Sequence, residues 1–187
     1  MKMRAKYVPG RANGARIEKD GEKWTLVLVR ELRHPPSMVW EAITDPAHLS
    51  QWAPFDADRK LDSVGPAKLS TVGAPKPMVS ETTVTRAEAP RLLEYNWGGG
   101  EMRWELEPLG SGTRLTLWHN INRGFISMGA AGWHICFDVL VHLLSGEPLG
   151  RTVGPAAMQV EGWQELLADY SKELGVEPPA WPKNGKE

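Results

Sequence analysis

Three titratable side chains recur at a spacing that would place them on one face of a helix. His134, Asp138 and His142 follow one another at every fourth residue, and side chains four apart are neighbours on a helix. Adjacent members could hold a metal ion, as helical His-x-x-x-His pairs do. The outer two lie about 12 Å apart along the axis at about 1.5 Å per residue, so the three cannot share one ion. The spacing favours a solvated helix flank with a His–Asp pair over a metal centre.

A second histidine could act as an acid or base, because an unperturbed imidazole titrates near neutral pH. Alternation of apolar and polar residues over 113–120 places His119 on the buried face of a strand and Trp118 on the outer face. A general base needs an orienting partner, and Glu81 and Glu94 are carboxylates whose faces the pattern leaves open. The favoured interpretation is a hydrogen-bonded histidine at a strand end.

Nine residues of the chain are Trp, against three Tyr and three Phe. Large rigid rings on inward positions can line a ligand cavity. The predicted inward set, offered as candidate ligand-binding residues, comprises Trp52, Tyr95, Trp97, Trp104, Leu117, His119, Trp133 and Phe137. The set predicts a pocket for a small hydrophobic or aromatic molecule that His119 orients. The alternative, that these rings only fill the core, stays open.

Other signals of chemistry are absent from the sequence. There is no Gly-x-Ser-x-Gly elbow, no P-loop and no dinucleotide fingerprint, and Gly98-Gly99-Gly100 lies between predicted strands rather than before a helix. The single cysteine, Cys136, falls on the apolar side of a predicted helix and is interpreted as an inert core residue. We therefore expect no catalytic residue, no metal and no cofactor.

The elements that must position these side chains can be read from hydrophobic period and turn residues. Predicted strands cover residues 15–18, 24–32, 55–60, 67–72, 79–87, 92–97, 102–107 and 113–120, the later ones forming an antiparallel meander. Asp45 and Pro46 suit the start of a short helix that follows another one opened by Pro36 or Ser37. A long helix follows Gly124, and a last helix covers 155–174.

Composition limits the class of protein. The chain has 187 residues and a formal net charge of −1, which argues against a nucleic-acid binder. No run of 18 apolar residues occurs, so no membrane partner is expected. The N-terminal residues lack the apolar core of a secretory signal, and one cysteine fits a reducing cytoplasm.

One segment carries a family resemblance. Residues 29–52, VRELRHPPSMVWEAITDPAHLSQW, resemble the opening signature of the AHSA1-like (activator of Hsp90 ATPase homologue) branch of the SRPBCC superfamily. The matching residues are Arg30, Pro35-Pro36, Val39-Trp40, Thr44-Asp45-Pro46 and Trp52. The run 112–117 and Gly132-Trp133 are also similar to the family.

The resemblance implies an α+β helix-grip fold, like START and birch-pollen-allergen proteins, in which a curved antiparallel sheet wraps a long helix and leaves a cavity. It supplies no catalytic triad and no metal site. It covers residues 15–146, to which 155–174 adds a C-terminal helical extension. We expect residues 1–14 and 176–187, the latter including Trp181, to be flexible ends.

The expected function is binding of a small hydrophobic ligand between sheet and long helix. Two alternatives stay open: a cyclase- or dehydratase-like enzyme using a cavity histidine, and an Hsp90-related co-chaperone. The eukaryotic activator has a separate N-terminal domain for a principal Hsp90 contact, and we expect this chain to have no room for one. An outward Trp118 beside a helix carrying Trp163 and Tyr170 also suggests either a covered outer sheet face or a homodimer.

Overall fold

The computed structural model describes residues 6–76 and 78–179, and within them nine antiparallel strands form two sheets. The larger sheet has the order β1-β2-β9-β8-β7-β6. Its strands are β1 (Ala15–Asp20), β2 (Lys23–Leu32), β6 (Arg86–Glu88), β7 (Leu92–Trp97), β8 (Gly100–Leu109) and β9 (Gly112–Asn120). The predicted first hairpin and the three last strands are thus confirmed, within two residues at their ends.

A smaller sheet extends the larger one. It has the order β3-β4-β5, with β3 (Phe55–Ala57), β4 (Gly65–Thr71) and β5 (Met78–Val84). β5 runs beside β7 without a regular ladder, and the Asn96 amide donates instead to the Thr82 hydroxyl at 2.9 Å. The predicted antiparallel meander order is kept within each sheet. The predicted strand over 79–87 is instead broken between β5 and β6, where the pairing divides into two sheets.

Two short helices follow β2, as the proline pattern predicted. They are α1 (Pro36–Thr44) and α2 (Pro46–Leu49), separated by Asp45, whose carboxylate accepts from the Ala47 amide at 2.8 Å. This is an N-cap bond that satisfies a free amide of the first helical turn. The pair anchors Trp52, whose indole N–H donates to the Ala42 carbonyl at 2.8 Å.

The long helix α3 (Ile126–Leu144) packs against the concave face of the larger sheet and against α1. Together with the preceding 3₁₀ turn it spans Arg123–Leu144 and meets the length and mean hydropathy of a membrane span, with 61% of its most apolar window buried in this fold. The α+β helix-grip architecture is confirmed. The high hydropathy of α3 is explained by its position in the core, because a helix that is buried on most sides carries apolar residues on most of its faces.

The C-terminal extension differs from its prediction. It forms two helices, α4 (Pro155–Met158) and α5 (Trp163–Leu174), not one helix over 155–174. Gly162 separates them with φ 91°, a left-handed conformation that glycine adopts readily and other residues do not. The break turns α5 so that it packs on α3 and β1.

The N-terminal segment contacts the C-terminal extension from residue 6 onward. Lys6 pairs with Glu161 at 2.6 Å, and the Arg11 guanidinium lies 3.3 Å from Asp169 on α5. Residues 6–14 thus lie against α5 and the segment before it, and flexibility of residues 1–14 stays a prediction. At the other end Val176 is buried, and Trp181 lies outside the described residues.

The outer sheet face carries Trp118, as predicted. Its ring is half-buried beneath the Arg103 guanidinium, at 5.4 Å from the ring centre. The predicted neighbourhood of Trp118 and the last helix is wrong, because α5 packs on the opposite, helix-bearing side, where Trp163 and Tyr170 are buried. A homodimer through the Trp118 face stays a prediction.

Candidate functional site

A cavity of about 580 Å³ opens between the sheet, the first half of α3 and the C-terminal extension. Its volume is in the range of small-molecule sites. It is lined by Pro54, Thr71, Trp97, Gly98, Gly100, His119, Asn120, Ile121, Asn122, Phe125, Met128, Gly129, Gly132, Trp133, Cys136, Val153, Gly154, Pro155, Ala157, Met158 and Trp163. None of these side chains is Lys, Arg, Asp or Glu.

The sheet wall is built at the ends of two strands. Trp97 closes β7, and its ring stacks on His119 with centroids 5.6 Å apart and 27° between the planes. The Trp97 indole N–H donates to the Thr71 hydroxyl at 2.9 Å. Because the indole N–H is hydrogen-bonded and the ring stacks on His119, the orientation of Trp97 in the cavity wall is fixed.

The helix wall combines one large ring with two glycines. Trp133 faces the sheet wall, with its centroid 5.9 Å from that of Trp97. Gly129 and Gly132 follow one another at three residues on the same side of α3. A Cβ built on Gly132 would have nothing within 4 Å, so open space lies directly over the helix backbone there.

The third wall comes from the segment between α3 and α5. Arg151 fixes its start, because the guanidinium donates to the carbonyls of Ala53 at 2.7 Å and Phe55 at 2.9 Å. Further along, Gly154 touches Gly73, and a Cβ on Gly154 would lie 3.1 Å from the Gly73 carbonyl oxygen. Sequence reasoning missed this wall, since contacts between distant loops leave no periodic signal.

His119 enters the cavity as a neutral hydrogen-bond donor. The Trp133 indole N–H donates to His119 Nδ1 at 3.1 Å, so in the neutral ring Nε2 carries the proton. Burial lowers the pKa of His119 to about 4, because a desolvated imidazolium is disfavoured. The predicted inward direction and hydrogen bonding of His119 are confirmed.

Cys136 adds no charge to the cavity. Burial raises the pKa of its thiol to about 12, so the thiolate that reacts or binds metals is scarce at neutral pH. With His119 neutral as well, the lining residues are uncharged near pH 7. An ion entering such a site would lose its hydration without gaining a counter-charge.

The structure brings the eight candidate residues into one cluster but divides their roles. Trp97, His119 and Trp133 line the cavity. The other five pack behind this wall as core residues, and they are Trp52, Tyr95, Trp104, Leu117 and Phe137. The predicted pocket wall is corrected for these five, because strand alternation identifies the buried face but not which part of it the helix leaves uncovered.

Trp104 illustrates the division. Its ring lies 5.6 Å from Trp133 and 6.2 Å from Trp52, and its indole N–H donates to the Tyr95 hydroxyl at 3.2 Å. Phe137 contacts the same ring at 6.0 Å. A ring surrounded on these sides by other rings supports the cavity wall and has no face left for a ligand.

The predicted solvated flank of α3 is wrong at His134, which is 2% exposed. Its Nδ1 lies 2.6 Å from the Tyr170 hydroxyl and 3.1 Å from the Arg30 guanidinium, because α5 covers this side of α3. The predicted His–Asp pair is present, with His134 Nε2 at 3.4 Å from Asp138.

Asp138 also accepts a hydrogen bond from the Tyr7 hydroxyl. Burial alone would raise the pKa of the Asp138 carboxyl, but hydrogen bonds from His134 and Tyr7 outweigh it and the pKa is lowered. This cluster ties the N-terminal segment, β2, α3 and α5 together. The cluster lies outside the cavity lining, and we interpret it as a buried hydrogen-bond network that holds these elements together.

One group of possible metal ligands comes together among the described residues, formed by Glu41, Asp45 and His48. The Asp45 carboxylate already caps α2, and its second oxygen lies 3.7 Å from Lys60. These bonds explain the position of Asp45 without an ion.

The buried histidine makes stability depend on pH. Because the unfolded imidazole has a pKa near 6.5 and the folded one about 4, the unfolded chain takes up the proton first as pH falls. The neutral, buried His119 contributes about 3 kcal/mol to the free energy of unfolding. This contribution is complete above pH 6.5 and is lost as the pH falls from 6.5 to about 4. His119→Gln should show a smaller decline over this window in urea unfolding at several pH values. Parallel declines in both proteins would contradict the buried neutral state.

The sheet, the long helix and the cavity between them define the helix-grip class. The chain belongs to the family described as Activator of Hsp90 ATPase homolog 1-like protein, which matches residues 33–145. This confirms the resemblance seen in the sequence. The third cavity wall follows residue 145 and so lies outside the matched part. No curated protein matches the chain.

Solved structures share the fold at low identity. A conserved protein from Enterococcus faecalis is 16% identical with a TM-score of 0.63, covering 85% of this chain and 89% of its own. CalU16 from Micromonospora echinospora is 24% identical with a TM-score of 0.55, covering 86% and 99%. An AHSA1-like protein from Aeromonas hydrophila is 17% identical with a TM-score of 0.53, covering 67% and 96%.

Proposed function

We propose that this protein binds a small hydrophobic or aromatic molecule in the cavity between the sheet and α3. The observation that carries the proposal is an apolar, uncharged cavity of about 580 Å³ with three tryptophan rings, Trp97, Trp133 and Trp163, in its walls. Burial of apolar ligand surface against such walls contributes roughly 25 cal/mol per Å² before the costs of association.

The chemistry of His119 favours binding over acid–base catalysis. A general base working near pH 7 needs a pKa close to 7, whereas that of His119 is about 4. Its acceptor nitrogen is also occupied by Trp133. No carboxylate is among the lining residues to orient or recharge the ring. The same features suit a fixed donor that orients a ligand.

The experiment is a titration with Prodan, an uncharged naphthyl ketone dye whose emission moves to the blue in apolar surroundings. We expect a saturable blue shift with the wild-type protein. Trp97→Ala should weaken binding roughly tenfold, since one aromatic contact and its buried area are lost. Trp118→Ala, which removes a ring of the same kind from the outer sheet face, should leave the affinity unchanged. Unaltered Prodan emission with folded wild-type protein would refute the proposal.

The co-chaperone alternative rests on the family's description alone. A direct assay separates it from ligand binding: addition of this protein should leave the ATPase rate of Hsp90 unchanged. An accelerated rate that survives Trp97→Ala would assign a second activity to a surface other than the cavity.

A further inference from the structure

We propose, building on the cavity function above, that the ligand is an uncharged aromatic molecule bearing a carbonyl-type oxygen, and that this oxygen accepts a hydrogen bond from His119 Nε2–H. The polar group of the ligand is thereby specified, whereas an apolar cavity alone would specify only its hydrophobic part. This assignment follows from the one imidazole of the cavity, whose orientation is fixed while its Nε2–H has no partner among the described residues.

The free donor is set by the bond on the other side of the ring. Trp133 donates to Nδ1 at 3.1 Å, which leaves the ring proton on Nε2. Among the described residues Nε2 has no hydrogen-bond partner, and it is not one of the fully buried polar atoms that lack a partner, so it faces the open space of the cavity. A ligand oxygen at this point would gain a hydrogen bond worth about 0.5–1.5 kcal/mol net.

A glycine lies beside the free edge of the imidazole. Gly100 lines the cavity, and a Cβ built on it would lie 2.6 Å from the Asn120 carbonyl oxygen and 3.2 Å from His119 Nε2. The close approach of β8 and β9 therefore requires glycine here, and a larger side chain would crowd the Nε2 edge of the ring.

Other polar groups in the lining are partly engaged elsewhere. The Thr71 hydroxyl accepts from Trp97 at 2.9 Å, and the Asn120 amide donates to Thr25 at 2.7 Å. The Asn122 side chain accepts from the Gly124 amide at 2.9 Å. His119 differs in that its ring is held both by the bond from Trp133 and by stacking on Trp97, so its Nε2–H is a donor of fixed direction and the complementary ligand group is an acceptor.

The absence of charge in the lining decides which acceptor fits. A carboxylate would be the strongest acceptor for an N–H, but it would enter an uncharged site with no cation among the lining residues. Desolvating an unpaired ion costs several kcal/mol, more than one hydrogen bond returns. A ketone, aldehyde, ester or quinone oxygen accepts the same bond without that cost.

Three matched probes separate these chemistries by isothermal titration calorimetry at pH 7. They are naphthyl methyl ketone, isopropenylnaphthalene and naphthoate, substituted at the same ring position, so that they differ mainly in an oxygen, a methylene or a carboxylate. We expect the ketone to bind about tenfold more tightly than the alkene, from one hydrogen bond formed with the His119 donor inside the cavity. Naphthoate should bind at least tenfold more weakly than the ketone.

Two variants assign the preference to His119. His119→Leu combined with Trp133→Phe should bind ketone and alkene equally, because the double variant lacks both the Nε2 donor and the Trp133 indole N–H that His119→Leu alone would leave free. His119→Gln should retain a preference for the ketone, since its amide can accept from Trp133 and donate to the ligand. Circular dichroism verifies that both variants are folded. The infrared carbonyl stretch of the bound ketone should move to lower frequency in the wild type and not in the double variant.

The outcomes distinguish this inference from the function on which it rests. If folded wild-type protein binds none of the three probes, the cavity function itself fails. If ketone and alkene bind equally, or the carbonyl stretch does not move, the cavity function stands and the donor role of His119 is overturned. Tightest binding of naphthoate would overturn the requirement for an uncharged ligand.

Discussion

Replacing Gly132 by leucine should weaken Prodan binding roughly a hundredfold while the protein stays folded. The leucine side chain would extend from α3 into space where nothing lies within 4 Å of a Cβ, and this space belongs to the cavity. A ligand would then meet atoms that cannot move aside, and overpacking of this kind costs about 1–3 kcal/mol. The measurement is the same fluorescence titration, with circular dichroism to verify the fold.

Gly132→Ala is the matched control. It removes the same helix glycine but adds one methyl group, so binding should persist. It should also raise the free energy of unfolding by about 0.5–1 kcal/mol, because alanine is a better helix former than glycine. Equal affinities of Gly132→Leu and wild type would place the binding site away from α3.

Trp104→Ala should lower the free energy of unfolding by about 3–5 kcal/mol, as expected for deletion of a large buried ring. Trp104 is 1% exposed, and its indole contacts Trp52, Trp133 and Phe137. Its loss also leaves the buried Tyr95 hydroxyl without its hydrogen-bond donor. Urea unfolding followed by far-ultraviolet circular dichroism gives the value.

Trp118→Ala provides the comparison, since Trp118 lies on the adjacent strand β9 with its ring on the outer face. Removal of this half-buried ring should cost about 1 kcal/mol, the typical effect of a single substitution. Similar losses for Trp104→Ala and Trp118→Ala would contradict the division of tryptophans between core and outer face.

Much of the fold could be predicted because local sequence patterns determine the faces of strands and the starts of helices. Strand alternation identified the faces of Trp104, Trp118 and His119, and the Asp45-Pro46 pair identified a helix start. These features depend on neighbours in the sequence. The exact strand ends and the division of the sheet at β5 depend on pairing with distant segments, and they were predicted less well.

The cavity could be predicted only in part, for a similar reason. Trp97 and Trp104 share the inward face of the sheet, yet Trp97 lines the cavity and Trp104 does not. Alternation cannot distinguish them, because the difference lies in how far α3 covers each strand. The wall held by Arg151 and Gly154 is made by contacts between segments far apart in the chain.

Long-range packing also explains the error at His134. On α3 alone its spacing with Asp138 and His142 reads as a polar, solvated stripe. α5 then covers the first turn of this stripe, and Tyr170 and Arg30 satisfy the histidine. The break at Gly162 sets the direction of α5. The burial of His134 therefore depends on the left-handed conformation of this glycine.

The indole N–H signals in a nitrogen–proton correlation spectrum would report most directly where a ligand binds. Assigned by single Trp→Phe variants, they separate the cavity residues Trp97, Trp133 and Trp163 from Trp24 and Trp118 on other surfaces. On addition of Prodan, the signals of the three cavity residues should shift in a saturable way while the other two stay in place. Shifts at Trp24 or Trp118 with the cavity signals unmoved would contradict binding between the sheet and α3.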